Sequence, residues 1–450
     1  MSTLADRLRI ADLSDISVDV RTASLSAPSV PTVSRAALDV QEAVTKELSE
    51  LLAAQSLSAG ELRSRATALV QEQLHTLSTP LSVAERASLT ARVVDNLVGL
   101  GPLEPLLADP TVTEIMTSGP HSIWVERAGK TEPVAATFTD DAHLRRIVDR
   151  ILAPLGKRLD ESSPKVDARL ADGSRVHVII PPLAVHGTAL TIRKFSPERY
   201  TIEDLVSFAT LSQPAAVFLA AAVEAKLNIL IAGGTGAGKT STLNALAGLF
   251  GDTERVITVE DLFEIKLDAP HWIPLEGRPP NIEGEGEVTL NALVKEALRM
   301  RPDRLVVGEI RAGDAAMEML QAMNTGHEGS LGTVHANSPR DCFSRVSGMV
   351  AVAGIPMSEA AVHRQMASAV DLIVFQRRMR DGSRAVSHIT EITGMECDVP
   401  SMQDIFVRPV EASGAQDKPL TPTGTPPRVL ERIHAQGVAL DRSIFFGGQR

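Results

Sequence analysis

The feature that most constrains this chain is residues 228–250, NILIAGGTGAGKTSTLNALAGLF, where a short apolar run enters a glycine-rich loop and a helical pattern leaves it. From Gly233 the spacing is GxxxxGKT, the pattern of a phosphate-binding loop, and each part has a physical job. Gly233, Gly234, Gly236 and Gly238 let the backbone curl until several N–H groups point inward, with Thr235, Ala237 and Ser241 completing the cradle. Lys239 reaches for the β- and γ-phosphates, and Thr240 offers its hydroxyl to Mg²⁺. The helix that starts there adds its positive N-terminal end. Ile229, Leu230 and Ile231 form a buried-strand run, while Leu243, Leu246, Leu249 and Phe250 recur at helical spacing behind the loop.

Acidic residues fall where such a loop needs them. Residues 255–267, RVITVEDLFEIKL, read as a strand with Glu260, Asp261 and Glu264 at or just past its end, and residues 304–310, RLVVGEI, as an apolar strand ending on Gly308 and Glu309. In a doubly wound sheet the carboxyl ends of the strands face the crevice that also holds the phosphate loop. Glu309 is therefore placed to orient or activate a water, and Glu260, Asp261 and Glu264 to hold Mg²⁺ directly or through water. Which of the three is the ligand stays open. Residues 324–337, NTGHEGSLGTVHAN, carry His327 and His335 in a glycine-rich loop between a helix and a strand, the setting of a sensor that moves after hydrolysis. A zinc pair would need a third ligand, and none is near in sequence.

Around this core, residues 1–33 read as a disordered tail of Ser, Thr, Pro and Ala, and residues 34–99 as a three-helix module. Its apolar faces are Val40, Val44, Leu48 and Leu51, then Leu62, Ala66, Leu69 and Gln73, then Val83, Ala87, Val94 and Val98, with Ser58 and Glu61 as a capping box. Residues 100–196 alternate short strands with one helix, an α+β domain. Arg169 and Arg175 flank the turn at 172–174, and Arg193 lies on the next strand-like run. They are either solvated surface charges, worth little, or a clamp on the nucleotide's phosphates, to which guanidinium offers a planar fork. The core domain then covers 197–410, with 271–289 as a long polar connection. Residues 411–427 read as a Pro/Thr/Gly-rich linker and 428–450 as a C-terminal helix and tail.

The 450 residues suffice for two or three domains. A formal charge of -11 argues against a protein that coats nucleic acid. Cys342 and Cys397 lack metal-ligand spacing and fit a reducing cytoplasm, and no run of eighteen or more apolar residues suggests a membrane span.

Taken together, these stretches resemble the secretion and pilus ATPase superfamily of type II and type IV secretion and type IV pili, and within it the CpaF/TadA-type ATPases of tight-adherence (Flp) pili. The likeness runs over roughly residues 35–450. Residues 99–116, 160–184 and 190–195 carry it in the second domain. In the core, GGTGAGKT is the phosphate loop, ITVEDLFEI resembles the Asp box, LRMRPDRLVVGEIR the Walker B element and MNTGHEGSLGTVHANSPRD the His box. The resemblance implies a RecA-like α/β core with a doubly wound, mainly parallel sheet, and a homo-hexamer that hydrolyses ATP with Mg²⁺. It implies the phosphate clamp for Arg169, Arg175 and Arg193, and Glu309 as the group supporting hydrolysis. It also implies polytopic inner-membrane platform proteins as partners, pilin moved indirectly, and residence at the inner face of the cytoplasmic membrane. Leu262 and Phe263 depart from the small residues usual in the Asp box.

Two other classes compete with this one. A DNA-translocating hexamer would share the loop, but the net acidity and few aromatic residues oppose it. A P-loop kinase or GTP switch lacks support, since the NKxD base-recognition motif is absent.

Overall fold

The computed structural model describes residues 44, 59–76, 82–127, 129–170, 172–195, 199–278, 280, 285–409 and 413–446. The expected tail, most of the first expected helix and the capping box at Ser58 lie outside them. Helices α1 (Ala59–Thr76) and α2 (Val83–Val98) bury Ala66, Leu69, Val70 and Leu74 against Leu89, Val93 and Val94, with Val44 in the same cluster. The predicted face of α2 is displaced: Val83 is largely out in solvent. The reason is the cap. Ser82 accepts from the Glu85 N–H and donates its own N–H to the Glu85 carboxylate, so the first turn serves the helix end and the buried stripe starts at Leu89.

A six-stranded antiparallel sheet follows, with β1 (Val112–Ser118), β2 (Ile123–Arg127), β3 (Lys130–Pro133), β4 (Lys165–Arg169), β5 (Arg175–Ile179) and β6 (Ala189–Arg193) in the order β3-β2-β1-β6-β5-β4. Alternation gives it one apolar face. Ile115, Val125, Val176, Val178, Leu190 and Ile192 pack there with Leu144, Ile147, Val148 and Ile151 of helix α3 (Asp141–Leu152). The opposite face is polar and turns toward the core domain.

The core domain holds a nine-stranded sheet built from β7 (Ile229–Gly233), β8 (Val256–Glu260), β9 (Trp272–Glu276), β10 (Arg304–Ile310), β11 (Leu331–His335), β12 (Leu372–Arg378), β13 (Arg384–Glu396), β14 (Val399–Val407) and β15 (Thr421–Pro422). The order is β15-β14-β13-β12-β7-β11-β10-β8-β9. The six strands from β12 to β9 are parallel and the rest are joined antiparallel. The loop strand β7 thus sits at the centre between β12 and β11, which is the RecA-like arrangement. Its Ile229 and Ile231 enter one buried cluster and its Leu230 and Ala232 the other, as expected of a sheet covered on both faces.

Two stretches read as connections are strands. Residues 272–276 form β9, parallel to β8 at the sheet edge, where Pro274 costs no interior hydrogen bond. The expected linker at 411–427 folds back as β15 on β14, burying Ala415 and Leu420. Arg408, fully buried, fastens it by donating to the carbonyls of Ala415 and Lys418, and also to those of Ala209, Thr210 and Val386. The C-terminal residues complete the core: Phe445 packs edge-on to Phe218, with centroids 5.5 Å apart, and beside Phe406.

Candidate functional site

The loop between β7 and the helix Lys239–Ala247 has the backbone its glycines permit. Gly236 and Gly238 hold φ of 70° and 93°, left-handed values that disfavour side chains. A Cβ on Gly233 would stand 2.1 Å from the Gln376 carbonyl, so the strand end could not pass β12 with any other residue. Gly234 faces open space, leaving a cradle for an anion above the helix N-terminus. Lys239 folds over this cradle, its Nζ 3.1 Å from the Gly234 carbonyl and 3.8 Å from Glu309. Burial pushes its pKa down and Glu309 pulls it back up.

The acids at the strand ends are not equivalent. Glu260 is buried, and its Oε2 accepts the N–H groups of Glu264 and Ile265 at 2.9 and 3.0 Å. Its Oε1 is buried without a partner, and burial raises its pKa to about 7. Gly308 of β10 allows this packing, since a Cβ there would meet Glu260 at 2.8 Å. Glu264 pairs with Arg175 at 2.9 Å. Asp261 is exposed and lies 3.5 Å from Arg311, which also holds Glu309 through Nε at 2.8 Å. The unusual Phe263 stacks on Trp272 and lies under Arg169, 5.7 Å from ring to guanidinium.

The polar face of the six-stranded sheet meets this edge. Arg175 and Arg193 lie side by side in register on β5 and β6, and Arg193 is near enough to Lys239 to disfavour its charge. Arg169 is engaged elsewhere, bonding Glu276 at 2.9 and 3.1 Å and the Phe263 carbonyl at 3.1 Å. The histidines part company. His335 ends β11 beside Gly233, whereas His327 precedes the other end of that strand, in a loop whose Gly329 and Ser330 N–H groups bond Asn228 at the start of β7. Five residues at about 3.3 Å each keep it from the cradle.

Three residues the sequence reading missed converge from the β12–β13 hairpin. Gln376, buried, accepts from the Thr242 hydroxyl at 2.7 Å behind the loop. Arg384 donates through Nε to the Gly236 carbonyl at 3.1 Å, and Arg378 donates to the Gly129 carbonyl of the first sheet. Nothing local in the sequence marks them, because they reach the loop only through the pairing of β12 with β7 and of β13 with β12.

The donor set fits a magnesium nucleotide: an N–H cradle at a helix start, a lysine, a threonine hydroxyl and a buried carboxylate with a free oxygen. Among the described residues no group of three or more His, Cys, Asp or Glu could hold a metal alone, so the phosphates must supply ligands. This fold is that of a RecA-like ATPase core. A family model described as type II/IV secretion system protein matches residues 96–411, and the chain belongs to that family. It is 39% identical over 306 residues to a Mycobacterium tuberculosis protein named for conjugal transfer, covering 67% of this chain and 86% of the relative. It is 31% identical over 324 residues to the type IV secretion system protein VirB11 of Brucella suis, covering 65% and 88%. The crystal structure of the Brucella suis VirB11 ATPase matches at 28% identity and a TM-score of 0.35, over 64% of this chain and 94% of that one. Among the described residues no helix is long and apolar enough to cross a membrane.

Proposed function

We propose that this ATPase works as a ring of six identical chains that hydrolyses ATP with Mg²⁺. The work drives assembly, and with some partners retraction, of a tight-adherence pilus or a related secretion machine. Polytopic platform proteins at the inner face of the cytoplasmic membrane receive the motion, and pilin is moved indirectly. One observation carries the catalytic part: Lys239 and Glu309 lie 3.8 Å apart at the open cradle, with Arg175 and Arg193 facing it from another domain. In this reading Gly233 to Ser241 and Lys239 bind the phosphates, and Thr240 with Glu260 or Asp261 holds Mg²⁺, which neutralises phosphate charge when bound. Glu309 orients the attacking water and Arg175 with Arg193 steadies developing charge. Glu264 positions Arg175, and Arg169 holds the domains in register. His335 senses the γ-phosphate, and His327 follows from the far end of β11.

The test is ATP turnover per chain against protein concentration, with a mass measurement in ATP and a Glu309→Gln variant in parallel. Turnover should climb as a six-chain species forms, and the variant should assemble, bind nucleotide and fail to turn it over. Flat turnover in a monomer, or an active variant, refutes the ring or the role of Glu309.

A further inference from the structure

Five charged residues form one row across adjacent strands of the six-stranded sheet. Strand register pairs Arg169 with Arg175, Arg175 with Arg193, Arg193 with Glu114 and Glu114 with Glu126. The row reads plus, plus, plus, minus, minus, and the core edge opposite answers it. Arg169 meets Glu276, Arg175 meets Glu264, and Glu126 meets Arg378 and Arg384 at 3.7 and 4.0 Å. Two of the arginines nearest the cradle are therefore turned toward carboxylates of the row: Arg193 toward Glu114 at 3.8 Å, and Arg384, which already touches the Gly236 carbonyl, toward Glu126.

We propose that Glu114 and Glu126 compete with the nucleotide's phosphates for Arg193 and Arg384. This rests on the phosphates lying over the loop. The pairs are long and partly exposed, hence weak, whereas phosphate oxygens offer guanidinium a charge-assisted, forked partner. Nucleotide binding thus carries a competition, which draws Arg384 off Glu126 while Arg378 keeps β2 tied to the β12–β13 hairpin. Arg384 becomes a further phosphate ligand, and the two glutamates are positioning residues that set affinity.

The experiment measures the dissociation constants of MgADP and of a non-hydrolysable ATP analogue for the full chain as wild type, Glu126→Gln, Glu114→Gln, Arg384→Gln and the Glu126→Gln/Arg384→Gln double variant. Glutamine keeps the shape of Glu126 and its hydrogen bond from Thr113. Glu126→Gln should tighten binding by about twofold to fivefold, the range of a partly exposed ion pair, with the gain shrinking as KCl rises. Arg384→Gln should weaken binding, and in that background Glu126→Gln should do nothing. Glu114→Gln should tighten binding through Arg193, and a Glu114→Gln/Arg384→Gln double variant, measured alongside, should bind more tightly than Arg384→Gln alone. Wild-type affinity in both single glutamate variants, or an equal Glu126→Gln gain with and without Arg384, overturns the exchange. A Lys239→Ala control that binds as tightly as wild type overturns the phosphate-loop placement itself.

Discussion

At the scale of single residues, the site is a set of unequal neighbours. Lys239 is the one ammonium folded onto the cradle from within the loop, so Lys239→Ala should remove tight nucleotide binding and lower turnover at least a hundredfold, read as steady-state phosphate release. Glu260 gives a pH signature. Burial lifts its pKa from 4.5 to about 7, so the folded chain holds this proton over a range in which the unfolded chain has lost it. Its contribution to stability is complete below pH 4.5, declines as pH rises toward 7, and is level above that. The difference in unfolding free energy between wild type and Glu260→Gln should therefore drift against the wild type by on the order of 3 kcal/mol from pH 4.5 to 8, measured by urea titration without nucleotide. Parallel profiles would mean that Glu260 is solvated.

At the scale of elements, the C-terminal segment is part of the core and should behave as such. Phe445 is fully buried between Phe218 and Phe406, and Phe445→Ala should cost about 3–5 kcal/mol and lower Tm without touching the cradle. The sequence made the phosphate loop legible because its chemistry is local: spacing, glycines and the flanking runs lie within about two dozen residues. The acids at the ends of β8 and β10 were legible for the same reason. What stayed hidden depends on distant pairing. Gln376 meets Thr242 across 134 residues, and no property of QRRMRDGSR says that its strand will lie beside β7. His327 looked equivalent to His335 because spacing along a chain does not tell which end of a strand a loop joins. β9 and β15 escaped because edge strands need no alternation and tolerate proline.

At the scale of the whole molecule, the two sheets are held in register largely by charge, and this is testable by exchange. Arg169→Glu sets a carboxylate against Glu276 and should swing the domains apart, increasing the radius of gyration in solution scattering and abolishing turnover. Adding Glu276→Arg should restore both, which loss of folding could not mimic. The edges of the core sheet have a different consequence. β9 carries Pro274 and β15 carries Pro422, so each border strand lacks a backbone donor. A neighbouring copy finds side chains to pack against and no uninterrupted template to extend. A contact between copies would then be a joint of surface on surface, able to slide and re-form without tearing a backbone ladder, and the same borders work against fusion of the chain with its own kind into fibrils.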